Sequence, residues 1–191
     1  MTTPHETSMS AQSALKRLAR GNERYAEALV SHTDVSPALR ALTAKHGQEP
    51  FAIVITCSDS RVIPEAIFSA SIGDLFVIRV AGNVIDDHQL GSIEYAAGHL
   101  GCNLVLVLGH THCGAVEAAM GPDAHGYVKY VVDDIKEAIG DETDDYTACR
   151  LNVEHSMAAI ESSLQIRQEE ELGLKVRGAI YHLENGVVDF L

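Results

Sequence analysis

Phe51-Ala52-Ile53-Val54-Ile55-Thr56 is an apolar, largely β-branched run, bounded by Pro50 in front and the polar Cys57-Ser58-Asp59-Ser60-Arg61 behind. A run this short, cut off sharply at both ends, reads as a buried strand. Two more follow: Leu75 to Val80 after Gly73-Asp74, and Asn103 to Leu108, which ends at Gly109. Helical patterns lie between them, from Pro64 to Ala70 and from about Gln89 to Leu100. Continuously apolar strands alternating with helices predict an α/β fold, a mostly parallel central β-sheet flanked by helices.

Toward the N-terminus, Leu15, Leu18, Tyr25, Ala26 and Leu29 recur at helical spacing, with Asn22 as the polar break. Lys16, Arg17, Arg20, Glu23 and Arg24 fill the other face, so Ser10 to Leu29 is an amphipathic helix. Residues 1 to about 9 read as a disordered tail, and Ser31 to Ser36 as a loop. Pro37 suits the first turn of a helix running to about His46, and Gly47 ends it.

Beyond the third strand the helical patterns are Ala115 to Met120, about His125 to Gly140, and about Tyr146 to Glu171. Lys175 to His182 and Val187 to Phe190 then flank Glu184-Asn185-Gly186, a C-terminal β-hairpin signal. With no internal repeat or low-complexity linker, residues 1–191 read as one domain.

Lys and Arg number 14 against 27 Asp and Glu, a formal net charge of −13. That sign argues against nucleic-acid partners and against adhesion to anionic membranes. No apolar run is long enough to span a bilayer, and polar Met1 to Ser10 is unlike a secretory signal. A cytoplasmic location is therefore expected, where the four cysteines serve as ligands or core residues.

Ligands of open parallel sheets collect at the carboxyl edge of the strands. Cys57 follows the first strand, while His110 and Cys113 follow the third. Gly109 and Gly114 are expected to let the chain bend there, and a helix start beside Cys113 favours its thiolate. Cys, His and Cys suit zinc, and a missing fourth ligand marks a catalytic rather than a structural site. Two thiolates leave the metal nearly uncharged, so a neighbouring group must orient the attacking oxygen. Asp59 is the candidate, kept ionised by Arg61 two residues on.

Cys57-Ser58-Asp59-Ser60-Arg61-Val62, Gly73-Asp74-Leu75-Phe76-Val77-Ile78-Arg79 and Gly109-His110-Thr111-His112-Cys113-Gly114-Ala115-Val116 resemble the three signature blocks of β-class carbonic anhydrases. The resemblance runs from the N-terminal helix to the final hairpin. It implies one Zn2+ per subunit on Cys57, His110 and Cys113, and reversible hydration of carbon dioxide to bicarbonate by zinc-bound hydroxide that the Asp59–Arg61 dyad orients. It also implies a closed form with Asp59 itself on the metal. Gln48, Phe76 and Tyr95 match substrate-pocket residues, the last two contributed by a neighbouring subunit, and a homodimer or homotetramer is implied. Val80 departs from a common Asn. Val54 stands where members with a regulatory bicarbonate site carry Trp, so that site is expected to be absent despite Arg79.

The same scaffold could hydrolyse carbonyl sulfide or carbon disulfide, or hold zinc without catalysis. Against the second stands the dyad, for which a structural zinc has no use. Cys102 and Cys149 read as buried or helical cysteines, His112 as a solvent-facing loop residue, and Asp141-Glu142-Thr143-Asp144-Asp145 as a solvated loop.

Overall fold

The computed structural model describes residues 8–27 and 33–191. The expected disordered tail therefore lies outside the described residues up to position 7. Met9 departs from that expectation: its carbonyl accepts from Asn103 Nδ2 at 3.0 Å, and its side chain packs on the core.

Five strands form one sheet in the order β2-β1-β3-β4-β5. They are β1 (Ala52–Thr56), β2 (Leu75–Arg79), β3 (Leu104–His110), β4 (Lys175–Tyr181) and β5 (Val188–Phe190). The first four are parallel, and β5 runs antiparallel to β4. Alternation along the strands explains why β1 and β3 are buried throughout. Ile53, Ile55, Val105, Val107, Val176 and Ile180 face one core, and Ala52, Val54, Leu104, Leu106, Leu108 and Ala179 face the other. Each face needs its own cover, and the sheet is sandwiched as a parallel sheet must be.

On the second face lie α1 (Ala11–Glu27) and the short α3 (Pro64–Ile67). Helix α1 buries Ala11, Ala14, Leu18, Gly21 and Asn22. At Gly21 a Cβ would stand 1.9 Å from the Phe68 carbonyl oxygen, so only glycine allows this approach. The first face is covered by α4 (Asp87–Leu100), α5 (Gly114–Met120), α6 (Val128–Ile139), α7 (Asp145–Ser162) and α8 (Leu164–Glu171). Helix α2 (Pro37–His46) starts on a Ser36 cap and precedes β1. No described helix is long and apolar enough to cross a membrane.

Three departures from the expected boundaries have a visible cause, while β3 also runs on through Gly109 to His110. The helix expected from Tyr146 to Glu171 breaks at Ser163, whose hydroxyl caps α8 through Ile166 N and bonds Glu94. The one expected from Pro64 to Ala70 ends at Ile67, because Ser69 turns to φ 46°. The hairpin is present but its connection is longer than a two-residue turn. His182 N–H bonds Val187 O and Gly186 N–H bonds His182 O, with Gly186 at φ 79°.

Candidate metal centre

Strand register brings the cysteine–histidine group together. Thr56 pairs with Leu108, so Cys57, one step past β1, lies beside the end of β3 where His110 is the last residue. Cys113 is the N-cap of α5. One ligand atom from each of Cys57, His110 and Cys113 lies within 4.8 Å of the others, and all three residues are buried. The two sulfurs stand 3.9 Å apart. Zinc–sulfur bonds of about 2.3 Å at a tetrahedral angle separate two ligand sulfurs by roughly 3.8 Å, so the spacing fits that ion.

The imidazole fits as well. His110 Nδ1 lies 2.9 Å from the Thr111 carbonyl, which only accepts, so that nitrogen carries the proton. Nε2 is then left with its lone pair, and it is buried without any hydrogen-bond partner. Such a group is rare unless something binds it. The donor set and its orphaned nitrogen suit a soft divalent metal.

Charge is already gathered on one of the two sulfurs. The Cys113 thiol points at Cys57 and leads the groups that pull the Cys57 thiol down to about 4, against its burial; the Gly82 amide, 3.3 Å away, adds to it. Cys113 goes the other way, raised first by its hydrogen bond to Cys57, then by burial and the charge on Cys57, although the Val116 and Ala115 amides of the α5 start favour its thiolate. A cation between the two removes that repulsion.

Asp59 and Arg61 sit above this group. Arg61 Nε donates to Asp59 Oδ1 at 2.9 Å and Nη2 to Oδ2 at 2.7 Å, while the Arg61 backbone N–H adds a third bond to Oδ1 at 2.9 Å. The fork holds the Asp59 carboxyl far below the usual carboxylate range. In this arrangement Asp59 faces Arg61 rather than joining the metal ligands. Arg79 braces the same loop, donating to the Asp59 carbonyl at 2.6 Å and the Cys57 carbonyl at 3.2 Å.

The bend between the ligands is not made as expected. Gly109 lies inside β3, and Gly114 begins α5; the left-handed residue is His112, at φ 54°. His112 is exposed in the turn, as expected, and it is also tied there: its amide bonds the Asp145 carboxylate, and its ring bonds Glu184 at 2.5 Å. The acidic run before α7 is likewise more than a solvated loop, since Asp144 caps the helix through Thr147 N. Asp145 and Glu184 escaped the sequence reading because their partner is 33 and 72 positions away. Cys102 and Cys149 are buried, as expected, and all four cysteines are unpaired.

Gln48, Phe76 and Tyr95 are not brought to the metal group within this chain. Gln48 lies before the amino end of β1 and lines a cavity of about 450 Å³ with His46, Glu49, Phe51 and His99. The Phe76 and Tyr95 rings are 6.2 Å apart, and Tyr95 stacks on His99 at 5.0 Å. His99, which extends this aromatic ladder to the cavity, was not singled out from sequence.

A buried Cys-His-Cys group at the carboxyl edge of a mostly parallel sheet, open toward an aspartate–arginine pair, defines a metalloenzyme-type centre. A carbonic anhydrase family model matches residues 52–188. A carbonic anhydrase of Mycolicibacterium smegmatis is 35% identical over 189 residues, covering 92% of this chain and 91% of that protein. Carbonic anhydrase 2 of Mycobacterium tuberculosis is 45% identical over 131 residues, 66% of this chain. That match spans 63% of the tuberculosis protein's own length, a little under two thirds. Among solved structures, a tetrameric β-carbonic anhydrase of Sordaria macrospora superposes with a TM-score of 0.74 at 28% identity, over 82% of this chain and 87% of that one. The β-carbonic anhydrase CafA of Aspergillus fumigatus gives 0.74 at 31%, over 81% of each chain. The chain belongs to the β-class carbonic anhydrase family.

Proposed function

We propose that this protein catalyses the reversible hydration of carbon dioxide to bicarbonate and a proton, with zinc held by Cys57, His110 and Cys113. The observation that carries the reading is the unpartnered, buried His110 Nε2 beside two sulfurs, next to an aspartate that an arginine has already claimed. When bound, zinc supplies the Lewis acidity that makes water nucleophilic near neutral pH.

The chain's own residues do the rest. Asp59, fixed as a carboxylate by Arg61, can only accept a hydrogen bond. It accepts a hydrogen bond from the attacking water without taking its proton, which turns an oxygen lone pair outward, toward the carbon of the substrate. Arg61, tied also to the His112 carbonyl at 3.2 Å, holds the acceptor at a fixed angle. Gln48, Phe76 and Tyr95 of a second copy complete the pocket, the amide binding a substrate oxygen and the rings excluding water. The reading therefore makes the active form a homodimer or a dimer of dimers; the Sordaria relative is described as tetrameric. Four unpaired cysteines suit a reducing, cytoplasmic setting.

Stopped-flow carbon dioxide hydration with metal analysis tests this. Wild type should carry one zinc per chain and hydrate rapidly. Asp59→Ala should keep the zinc and lose roughly 10²-fold or more in kcat, the usual worth of a positioned proton acceptor. Full activity in Asp59→Ala would remove the mechanism, and a zinc-loaded wild type without hydration would remove the function.

A further inference from the structure

Between the ligands His110 and Cys113 the chain has two residues in which to pass from the end of β3 to the start of α5. It turns at His112, whose positive φ of 54° is uncommon for a residue with a side chain. Something must hold it there. The His112 amide donates to both carboxylate oxygens of Asp145, at 2.9 and 3.1 Å. Asp145 is the first residue of α7, a helix seated in the core through Ala148, Cys149, Val153 and Ile160. Glu184, on the β4–β5 connection, takes the His112 ring and lies 3.4 Å from Thr111 Oγ1. On its far side the turn offers the His112 carbonyl to Arg61 Nη2, the same nitrogen that holds Asp59 Oδ2.

We infer that Asp145 is a positioning residue of the metal centre, fixing the His112 turn and through it both Cys113 and the Arg61–Asp59 pair. The continuous path is Asp145 to the His112 amide, His112 carbonyl to Arg61, and Arg61 to Asp59. Carboxylates that hydrogen-bond a metal ligand commonly govern metal affinity tenfold or more, and Asp145 acts from one residue further out, through the amide beside Cys113. The kinetic half of this assignment rests on the reaction proposed above; the metal half rests only on the proposal that Cys57, His110 and Cys113 hold zinc.

The rival role for Asp145 is a negative charge at the amino end of α7, which stabilises a helix without reference to the metal. Asparagine separates the two, since it loses the charge but keeps a carbonyl acceptor for the His112 amide. In the full-length, zinc-loaded protein, zinc release to a chromogenic chelator is timed for Asp145→Ala and Asp145→Asn. Alanine should release zinc roughly tenfold faster or more, and asparagine within about twofold of wild type. Under hydration assay, alanine should lower kcat with KM little changed, and asparagine should restore it. Asp145→Ser keeps a good helix start but falls short of the amide, so it should release zinc like alanine and serves if alanine does not fold. Wild-type release from the alanine or serine variant, or an asparagine variant as fast as alanine, overturns the assignment. Zinc release needs no substrate, so a failure of the proposed reaction leaves this test standing.

Discussion

At Gly109 the flexibility expected from sequence is not what the residue supplies. It sits inside β3 beside the ligand His110, where an added Cβ would meet Val153 Cγ2 at 2.6 Å and Ile180 Cδ1 at 3.0 Å. The missing side chain lets α7 press against the end of the strand. Gly109→Ala is expected to destabilise by about 1–3 kcal/mol through overpacking, read from the shift in urea midpoint; an unchanged midpoint would show that the contact gives way freely. The Cys57-His110-Cys113 group and the Asp59–Arg61 pair were legible in sequence as neighbours because each lies within a few residues of a strand end, and a strand end announces itself by a change in polarity. Asp145 and Glu184 were not, because their partner His112 belongs to a turn formed elsewhere in the chain. A sequence shows an acidic residue near a helix start, but not which distant amide it will meet.

Elements are legible where pattern alone decides them, and Asn22 shows the point at which pattern stops. In the amphipathic face of α1 it reads as a flaw. In the structure it is buried and makes three connections: Nδ2 donates to Gly186 O at 2.8 Å and Ile67 O at 3.3 Å, and Oδ1 accepts from Val188 N at 2.9 Å. It ties α1 at once to the end of α3 and to the β4–β5 hairpin, with Tyr25 adding a hydroxyl contact to Tyr181 at 3.0 Å. Replacing it by alanine strands a buried amide, the buried Ile67 carbonyl and the part-buried Gly186 carbonyl. The expected loss is about 3 kcal/mol, seen as a lower denaturation midpoint, and Asn22→Asp, which sets a buried carboxylate against the Ile67 and Gly186 carbonyls, should lose at least as much. A loss below about 0.5 kcal/mol, the range of ordinary surface changes, would mean that water replaces all three bonds. The break at Ser163 was hidden for a similar reason. No glycine or proline marks it, and it is made by a serine hydroxyl that bonds Ile166 N and a glutamate on α4.

Across the whole molecule, the sheet separates two halves of a site that the proposed chemistry needs together. Cys57 and Gln48 lie beyond opposite ends of β1, a strand of five residues that spans roughly 17 Å. No rotation of side chains closes that distance within one chain. If Gln48 contacts substrate, it does so at the metal of another copy, and each active site is then a joint product of two chains related by symmetry. Mixing two damaged proteins tests this directly. Gln48→Ala leaves its own metal group and dyad intact, and Asp59→Ala leaves its own Gln48 intact. Dissociated, combined in equal amounts and reassociated, they should form mixed dimers with one sound site and one doubly damaged one. About half of random dimers are mixed, so hydration should recover to about a quarter of wild type, well above the sum of the two variants alone. If each site is complete within its own chain, every site in the mixture keeps one defect and activity stays at that sum. An affinity tag on one variant, which must draw the untagged variant down with it, confirms that chains have exchanged, so that an unrecovered rate counts against the shared site and not against the mixing.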